Sequence, residues 1–378
     1  MERNEFVLAA AWGRMALNPG GALPDLAGGQ PSYPTSSYLV FRHRGRDVLA
    51  VPAVSKAAAL AGIAKYQPFT LKRWLYRLVT TGLIRMGAAR LAAVSRVSPV
   101  GGEFRFDFAK WCGQLEDCLG RRIAHAIVTW PPQPWRRRLY VHLLDTNLQA
   151  FAFVKVASTD DDHTKLAVEA EALNWLAQLP LQKIRAPRLV HHGRFEEVGY
   201  LAMEPLPTVA KPLKLAADCD SAPLTAEFRG EFNRLSGPEI RSLSWWEAYT
   251  QALRPEHQAF HAQLQRLMPL GAETCRAHGD LGLANMVRDE HQIWIFDWES
   301  CHAAAPALAD SIGFFMSFTM AKTERQPLLS LRRIEERFLT EHSDQRRLAV
   351  MLALAFRHAC GIPDAVSIIG AWEHNSLG

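Results

Sequence analysis

The chain has 378 residues, 48% of them hydrophobic and 21% charged, with a formal net charge of +5. That length can bury a sizeable core and carry two or three domains, and the composition excludes a disordered or fibrous chain. No run approaches the ~20 apolar residues that span a bilayer. Glu2, Glu5 and Arg14 interrupt the amino terminus where a signal peptide would be apolar. The six cysteines form no CxxC pair and no zinc spacing, so reduced thiols in a cytoplasmic protein are expected.

In chain order, residues 18–34 are rich in Gly and Pro and read as loop. A hairpin follows, with Tyr38–Arg42 and Asp47–Val51 as strands around a turn at His43–Arg46. Helical patterns come next near Lys56–Lys65 and Thr70–Thr80. The second carries Trp74, Leu75 and Leu78 beside Lys72, Arg73 and Arg77. Residues 42–96 hold eleven Lys or Arg and one acid, Asp47. A segment so basic can meet an anionic lipid surface, a nucleic acid or an acidic glycan, or form a solvated face docked on acidic parts of the same chain. No helix-turn-helix, zinc-finger or RNA-binding signature favours nucleic acid.

Strand patterns at Ala124–Thr129 and Leu139–Leu144 flank a turn, Trp130 to Arg138, with three prolines and no glycine. The strand Ala150–Val156 carries Lys155 between two valines. A lysine there is costly to bury unless paired, so it points at a charged partner or a ligand. The polar loop 158–163 leads into a helix from about Thr164 to Gln178, with Leu166, Leu173 and Leu176 on its apolar face and Glu169 and Glu171 as its acids. Two further strands, Ala186–Val190 and Tyr200–Glu204, end at Pro205-Leu206-Pro207, a natural hinge. Residues 208–243 read as irregular. Trp245-Trp246-Glu247 opens a helix running to about Leu267, and the tryptophan pair reads as core or as a stacking platform for a sugar or cation. The polar run Gly271–Thr274 breaks it.

The most demanding pattern is His278-Gly279-Asp280-Leu281-Gly282-Leu283-Ala284-Asn285, followed by Ile295-Phe296-Asp297-Trp298-Glu299. Met286–Arg288 and Gln292–Phe296 read as strands around a turn at Asp289–His291, so Asp280 and Asp297 flank one hairpin. One carboxylate can orient and deprotonate a hydroxyl. An amide oxygen and a second carboxylate can hold Mg²⁺ against nucleotide phosphates. A lone Asp after Gly is usually a turn residue, whereas an Asp, an Asn five residues on and an Asp after the hairpin is the division of labour in protein kinases.

On these residues the sequence resembles the aminoglycoside phosphotransferase and choline kinase group of kinase-like small-molecule phosphotransferases. The resemblance implies that Asp280 is catalytic, that Asn285 and Asp297 bind metal, and that His278 braces the catalytic loop. It extends to Pro306-Ala307-Leu308-Ala309-Asp310, whose Asp buttresses that loop in the family, although Ala303-Ala304-Ala305 stand where a glycine is common. Glu299 becomes either a ligand to a second Mg²⁺ or a solvated hairpin acid. Glu169, six residues before Trp175, matches the acid that braces the phosphate-clamping lysine, here Lys155, while Glu171 is left to solvent. Adenine would meet backbone near Ala202 to Pro205, at Met203 and Glu204. Kinases cover the phosphates with glycine-rich backbone. Here the arginines of the 130–138 turn either replace those amides as phosphate donors or are solvated.

The implied fold is α+β and two-lobed, protein-kinase-like, with an extra amino-terminal α+β region. Its parts would be a basic accessory region at 1–120, an N-lobe at 121–206 and a mostly helical C-lobe at 207–378. The implied function is ATP- and Mg²⁺-dependent transfer of a γ-phosphate to a hydroxyl of a small molecule, such as a sugar or polysaccharide precursor. A cationic aminoglycoside acceptor would need an acidic acceptor lobe, and no acidic cluster stands out. The alternative is a weakly catalytic pseudokinase or binding module that recruits a polyanion or membrane surface through residues 42–96.

Overall fold

The computed structural model describes residues 37–43, 45–65, 71–100, 104, 106–131, 137–207, 210–213, 221–318, 326–339 and 343–372. The loop expected at 18–34, Lys214 and the centre of the proline-rich turn lie outside them. The chain divides into two compact units, residues up to 166 with 189–205, and 167–188 with 206 onward.

The first unit is built on an eight-stranded sheet in the order Ala93–Arg96, Tyr38–His43, Arg46–Pro52, His125–Thr129, Arg138–Leu144, Ala150–Ala157, Val198–Met203, Leu189–Phe195. Every pairing in it is antiparallel. The expected hairpin forms, and its second strand joins the rest with Leu49 opposite Thr129 and Ala50 opposite Val128. Successive side chains of a strand point to opposite faces. Tyr38 and Val40 therefore enter a core with Phe108 and Trp111, while Leu39 and Phe41 enter another with Ile63 and Ile84. Both faces are covered, which explains the unbroken apolar run Tyr38–Phe41.

The first core is closed by the helix Phe108–Leu119, capped by Asp107, whose carboxylate accepts the Ala109 and Lys110 N–H groups. The second is closed by helices Lys56–Lys65 and Leu71–Arg85. Gly62 permits close approach there, since a Cβ would lie 2.6 Å from Val51. The Leu71 helix outruns the expected Thr80 because Leu83 and Ile84 continue its buried face. The helix Asp160–Leu176 also starts earlier than expected. Thr159 accepts the Asp162 N–H and donates to its carboxylate, and three aspartates in the first turn complement the helix dipole.

The second unit is mostly helical, and most of its helices share a core. Its centre is the helix Asp344–Ala359, buried at every position from Val350 to His358, as expected of a helix with neighbours all round. The long helix expected from Trp245 to Leu267 is two, Ser244–Gln251 and Gln258–Leu267. Pro255 between them cannot continue a helix, and it disfavours helical backbone at Arg254. Trp245 and Trp246 are core, and Trp245 packs edge-on against Phe356. The polar run Gly271–Thr274 follows the end of the helical stretch, as expected, and from Ala272 it belongs to a strand, Ala272–Ala277, held between Asn233–Leu235 and His302–Pro306. The hairpin Met286–Arg288 and Ile293–Ile295 pairs as expected, Met286 opposite Ile295. Among the described residues no helix is long and apolar enough to cross a membrane.

Candidate active site

The strand Ala272–Ala277 delivers His278, Gly279 and Asp280 to a sharp bend. Gly279 sits at φ 88°, and a Cβ there would lie 2.2 Å from the Ser300 carbonyl oxygen, so only glycine fits. The backbone N–H groups of His278 and Gly279 both donate to the buried Asp310 carboxylate, at 2.8 and 2.9 Å. Burial pushes the Asp310 carboxyl up, opposed by His278 and these two donors. Asp310 thus ties the loop to the helix Ala309–Ser317.

His278 is fully buried, with its ring 4.5 Å from that of Trp298. Its Nδ1 accepts the Asp280 N–H at 3.2 Å, which leaves Nε2 as the protonated nitrogen, 3.0 Å from the Phe296 carbonyl oxygen. One ring nitrogen braces the loop internally, and the other ties it to Phe296, just past the strand Ile293–Ile295.

A short 3-10 turn, Leu283–Asn285, returns the chain to Asp280. The Asn285 amide nitrogen donates to the Asp280 carbonyl at 2.9 Å and to its carboxylate at 3.3 Å. Spending the amide N–H on Asp280 leaves the amide oxygen for a cation. Burial lifts the Asp280 carboxyl to about 6, against the pull of Arg357 and Asn285 and with the push of Asp297 and Asp364. A carboxylate poised there is a base near neutral pH.

Asp297 has φ 68°, in the left-handed region. A non-glycine residue held there stores strain of a kind that clusters at functional sites. Carboxylate oxygens of Glu169, Asp297 and Glu299 lie within 4.8 Å of one another, and Glu169 also accepts the Trp298 N–H at 3.3 Å. Three carboxylates gathered this closely offer the hard oxygen donors that a divalent cation takes. The donor set therefore fits Mg²⁺.

Of the residues expected to form the site, Asp280, Asn285, His278, Asp297 and Glu169 lie in the second unit. Lys155, Met203 and Glu204 lie in the first. Lys155 is buried in the strand Ala150–Ala157, opposite Tyr140 and Leu201. Met203 is the buried last residue of its strand, and Glu204 follows it half-buried. Arg138 of the proline-rich turn is neither solvated nor offered to phosphate. It is buried, and its Nε lies 2.6 Å from the Asp162 carboxylate.

Two residues had no sequence motif to announce them. Arg357, on the helix Asp344–Ala359, brings Nη1 to 3.5 Å from the Gly279 carbonyl oxygen and Nη2 to 3.5 Å from Asp364. Both side chains are almost wholly buried. A cation directly after the apolar run Leu348–Phe356 was the available signal, but nothing in the sequence says which loop it meets.

A family model described as the phosphotransferase enzyme family, APH, matches residues 135–333, more than half of the chain. A search of curated proteins found no match. Among solved structures the chain is similar to an aminoglycoside 2′-phosphotransferase-IIIa variant with GDP, at 12% identity over 72% of this chain and 99% of that one, TM-score 0.41. It is similar to the spectinomycin phosphotransferase APH(9)-Ia with ADP and spectinomycin, at 14% identity over 71% and 98%, TM-score 0.34. A choline/ethanolamine kinase family protein from Mesorhizobium loti gives 10% identity over 64% and 79%, TM-score 0.36. The chain is α+β in class, with an antiparallel sheet in its first unit and a mostly helical second unit. Its braced His278-Gly279-Asp280 loop, interlocked Asn285 and strained Asp297 all fall inside the matched span, and the chain belongs to the phosphotransferase enzyme family.

Proposed function

We propose that the chain transfers the γ-phosphate of ATP to a hydroxyl of a small molecule, a sugar or polysaccharide precursor, with Mg²⁺ as its metal. One observation carries this reading. Asp280 and Asn285 are interlocked at 2.9 and 3.3 Å in a loop clamped by Asp310. A base must be held at fixed distance from the metal-bound phosphates for in-line transfer, and catalysis of this kind is mostly positioning and charge stabilisation.

In this reading Asp280 takes the proton of the acceptor hydroxyl as its oxygen bonds to the γ-phosphorus. The bond to the β,γ-bridging oxygen breaks and ADP leaves. Asn285 and Asp297 hold the metal, with Glu299 as a further oxygen donor. The bound metal neutralises phosphate charge. Lys155 meets the α- and β-phosphates, Glu169 braces Lys155, and backbone at Met203 and Glu204 receives the adenine. His278 positions the loop.

The test is Mg²⁺-dependent transfer from γ-labelled ATP across sugars, amino alcohols and aminoglycosides, with Asp280→Ala in parallel. Transfer to one acceptor class that vanishes in the variant supports the reading. Nucleotide binding without transfer to any acceptor, unchanged by the substitution, goes against it.

A further inference from the structure

Among the described residues fourteen large apolar side chains are exposed, and eight of them fall between positions 74 and 97. The helix Leu71–Arg85 turns Tyr76, Thr80, Leu83 and Ile84 inward. Its outer side presents Trp74, Leu75, Leu78 and Val79, with Trp74 49% and Leu78 47% exposed. At ~100° per residue these four lie within an arc of about 140°, and Arg85 falls inside the same arc. Met86, just past the helix, continues the apolar stripe at 73% exposure. The unit folds around the inner face, so packing does not require this outer arc to be apolar. Exposed apolar side chains clustered on one helix face mark an interaction site.

The charge around it selects the partner. No Asp or Glu occurs from residue 48 to residue 96. Asp47, the acid just before this stretch, is committed to Arg42 and Arg96. Arg46, Lys56, Arg85 and Arg90 are exposed. A segment with exposed apolar side chains, exposed cations and no acid has no charge of its own that an anionic bilayer repels. Arg stems can lie along the apolar surface while their heads reach phosphate. A protein partner of ordinary mixed charge would leave the missing acids unexplained.

We propose that the outer face of the Leu71–Arg85 helix docks the chain on an anionic lipid surface, with Trp74, Leu75, Leu78 and Val79 entering the headgroup boundary and Arg85 and Arg90 meeting lipid phosphates. The helix lies on the surface and does not cross it, and binding needs both apolar entry and basic attraction. This goes beyond the phosphotransfer reading and stands independently of it.

The test is co-sedimentation of the full chain with phosphatidylcholine vesicles, with and without phosphatidylglycerol. The expected result is binding to the anionic vesicles only, falling as salt rises. It should weaken roughly tenfold or more in Trp74→Ser/Leu78→Ser and in Arg85→Glu/Arg90→Glu. These positions are exposed, so both variants should melt as the parent does, which separates lost binding from lost folding. Binding to neither vesicle, equal binding to both, or full binding by the Trp74→Ser/Leu78→Ser variant overturns the proposal. So does a dimer in solution that the same variant converts to a monomer, which would assign the face to a second copy.

Discussion

Replacing Asp280 with asparagine is expected to stabilise the fold at neutral pH while removing the proposed base. Burial lifts this carboxyl from its ordinary 3.8 to about 6. The unfolded chain therefore releases the proton at lower pH than the folded one, and ionisation opposes folding between the two values. The stability that the protonated form enjoys is fully present below about pH 4 and is lost as pH rises through about 6. At about 1.4 kcal/mol per pH unit, the displacement costs about 3 kcal/mol once both states are ionised. Asparagine has the shape of the protonated acid, can still accept from Asn285, and carries no charge to desolvate. Asp280→Asn should thus exceed the parent by about 3 kcal/mol at pH 7 to 8 and by roughly half that at pH 5. For a unit of this size that is roughly 6–12 °C in melting temperature at the higher pH. The assay is thermal unfolding of both proteins in EDTA across pH 5 to 8, so that no divalent cation offsets the buried charge. Equal melting temperatures at pH 8, or a gap that does not narrow as pH falls, would refute the argument.

Other substitutions probe the parts that hold the loop. Asp310→Ala leaves two buried N–H groups without their acceptor, at ~1–3 kcal/mol each, so the urea midpoint should fall clearly; an unchanged midpoint removes Asp310 from the brace. Gly279→Ala meets both φ 88° and a 2.2 Å clash, and a soluble variant with parental transfer rates would contradict the bend described for it. Arg357→Met strands a buried Asp364, at ~3–5 kcal/mol; adding Asp364→Leu should recover most of that loss in a denaturation cycle, and simple additivity would show that the two do not pair. Asp297→Asn should raise the Mg²⁺ concentration at half-maximal transfer roughly tenfold or more, with no change counting against it as a ligand.

The parts of the site visible in the sequence are those whose logic is local. Asp280 and Asn285 are five residues apart, and the hairpin that returns the chain to Asp297 has its turn and strand residues written consecutively. The helix Lys56–Lys65 and the hairpin at Tyr38 are equally local. What escaped notice depends on distant partners. The run Gly271–Thr274 does break the helix, but that Ala272–Ala277 is a strand follows only from the neighbours that pair with it on both sides. Arg138 looks like a surface arginine until the start of the Asp160–Leu176 helix supplies Asp162. The joining of Arg46–Pro52 to His125–Thr129 bridges more than seventy residues. Two misreadings were local and avoidable, since Pro255 and the three aspartates after Thr159 state their effect on a helix directly.

Arg357 shows why the site could not be read whole from its motif. The loop carries its own reactive groups but not its own rigidity. Asp310 grips it from the start of one helix and Arg357 from the last turn of another. Both helices are fixed by the same core, in which Ile312 and Met316 of one share a cluster with Leu348 to Phe356 of the other. The placement of Asp280 is therefore inherited from apolar packing, and a change that loosens that core should lower turnover before it unfolds the unit. The same arrangement separates the chemistry from the surface. Acceptor-contacting residues elsewhere can vary without moving Asp280, because the groups that hold it, buried carboxylate, backbone amide and guanidinium, answer to the core rather than to the substrate.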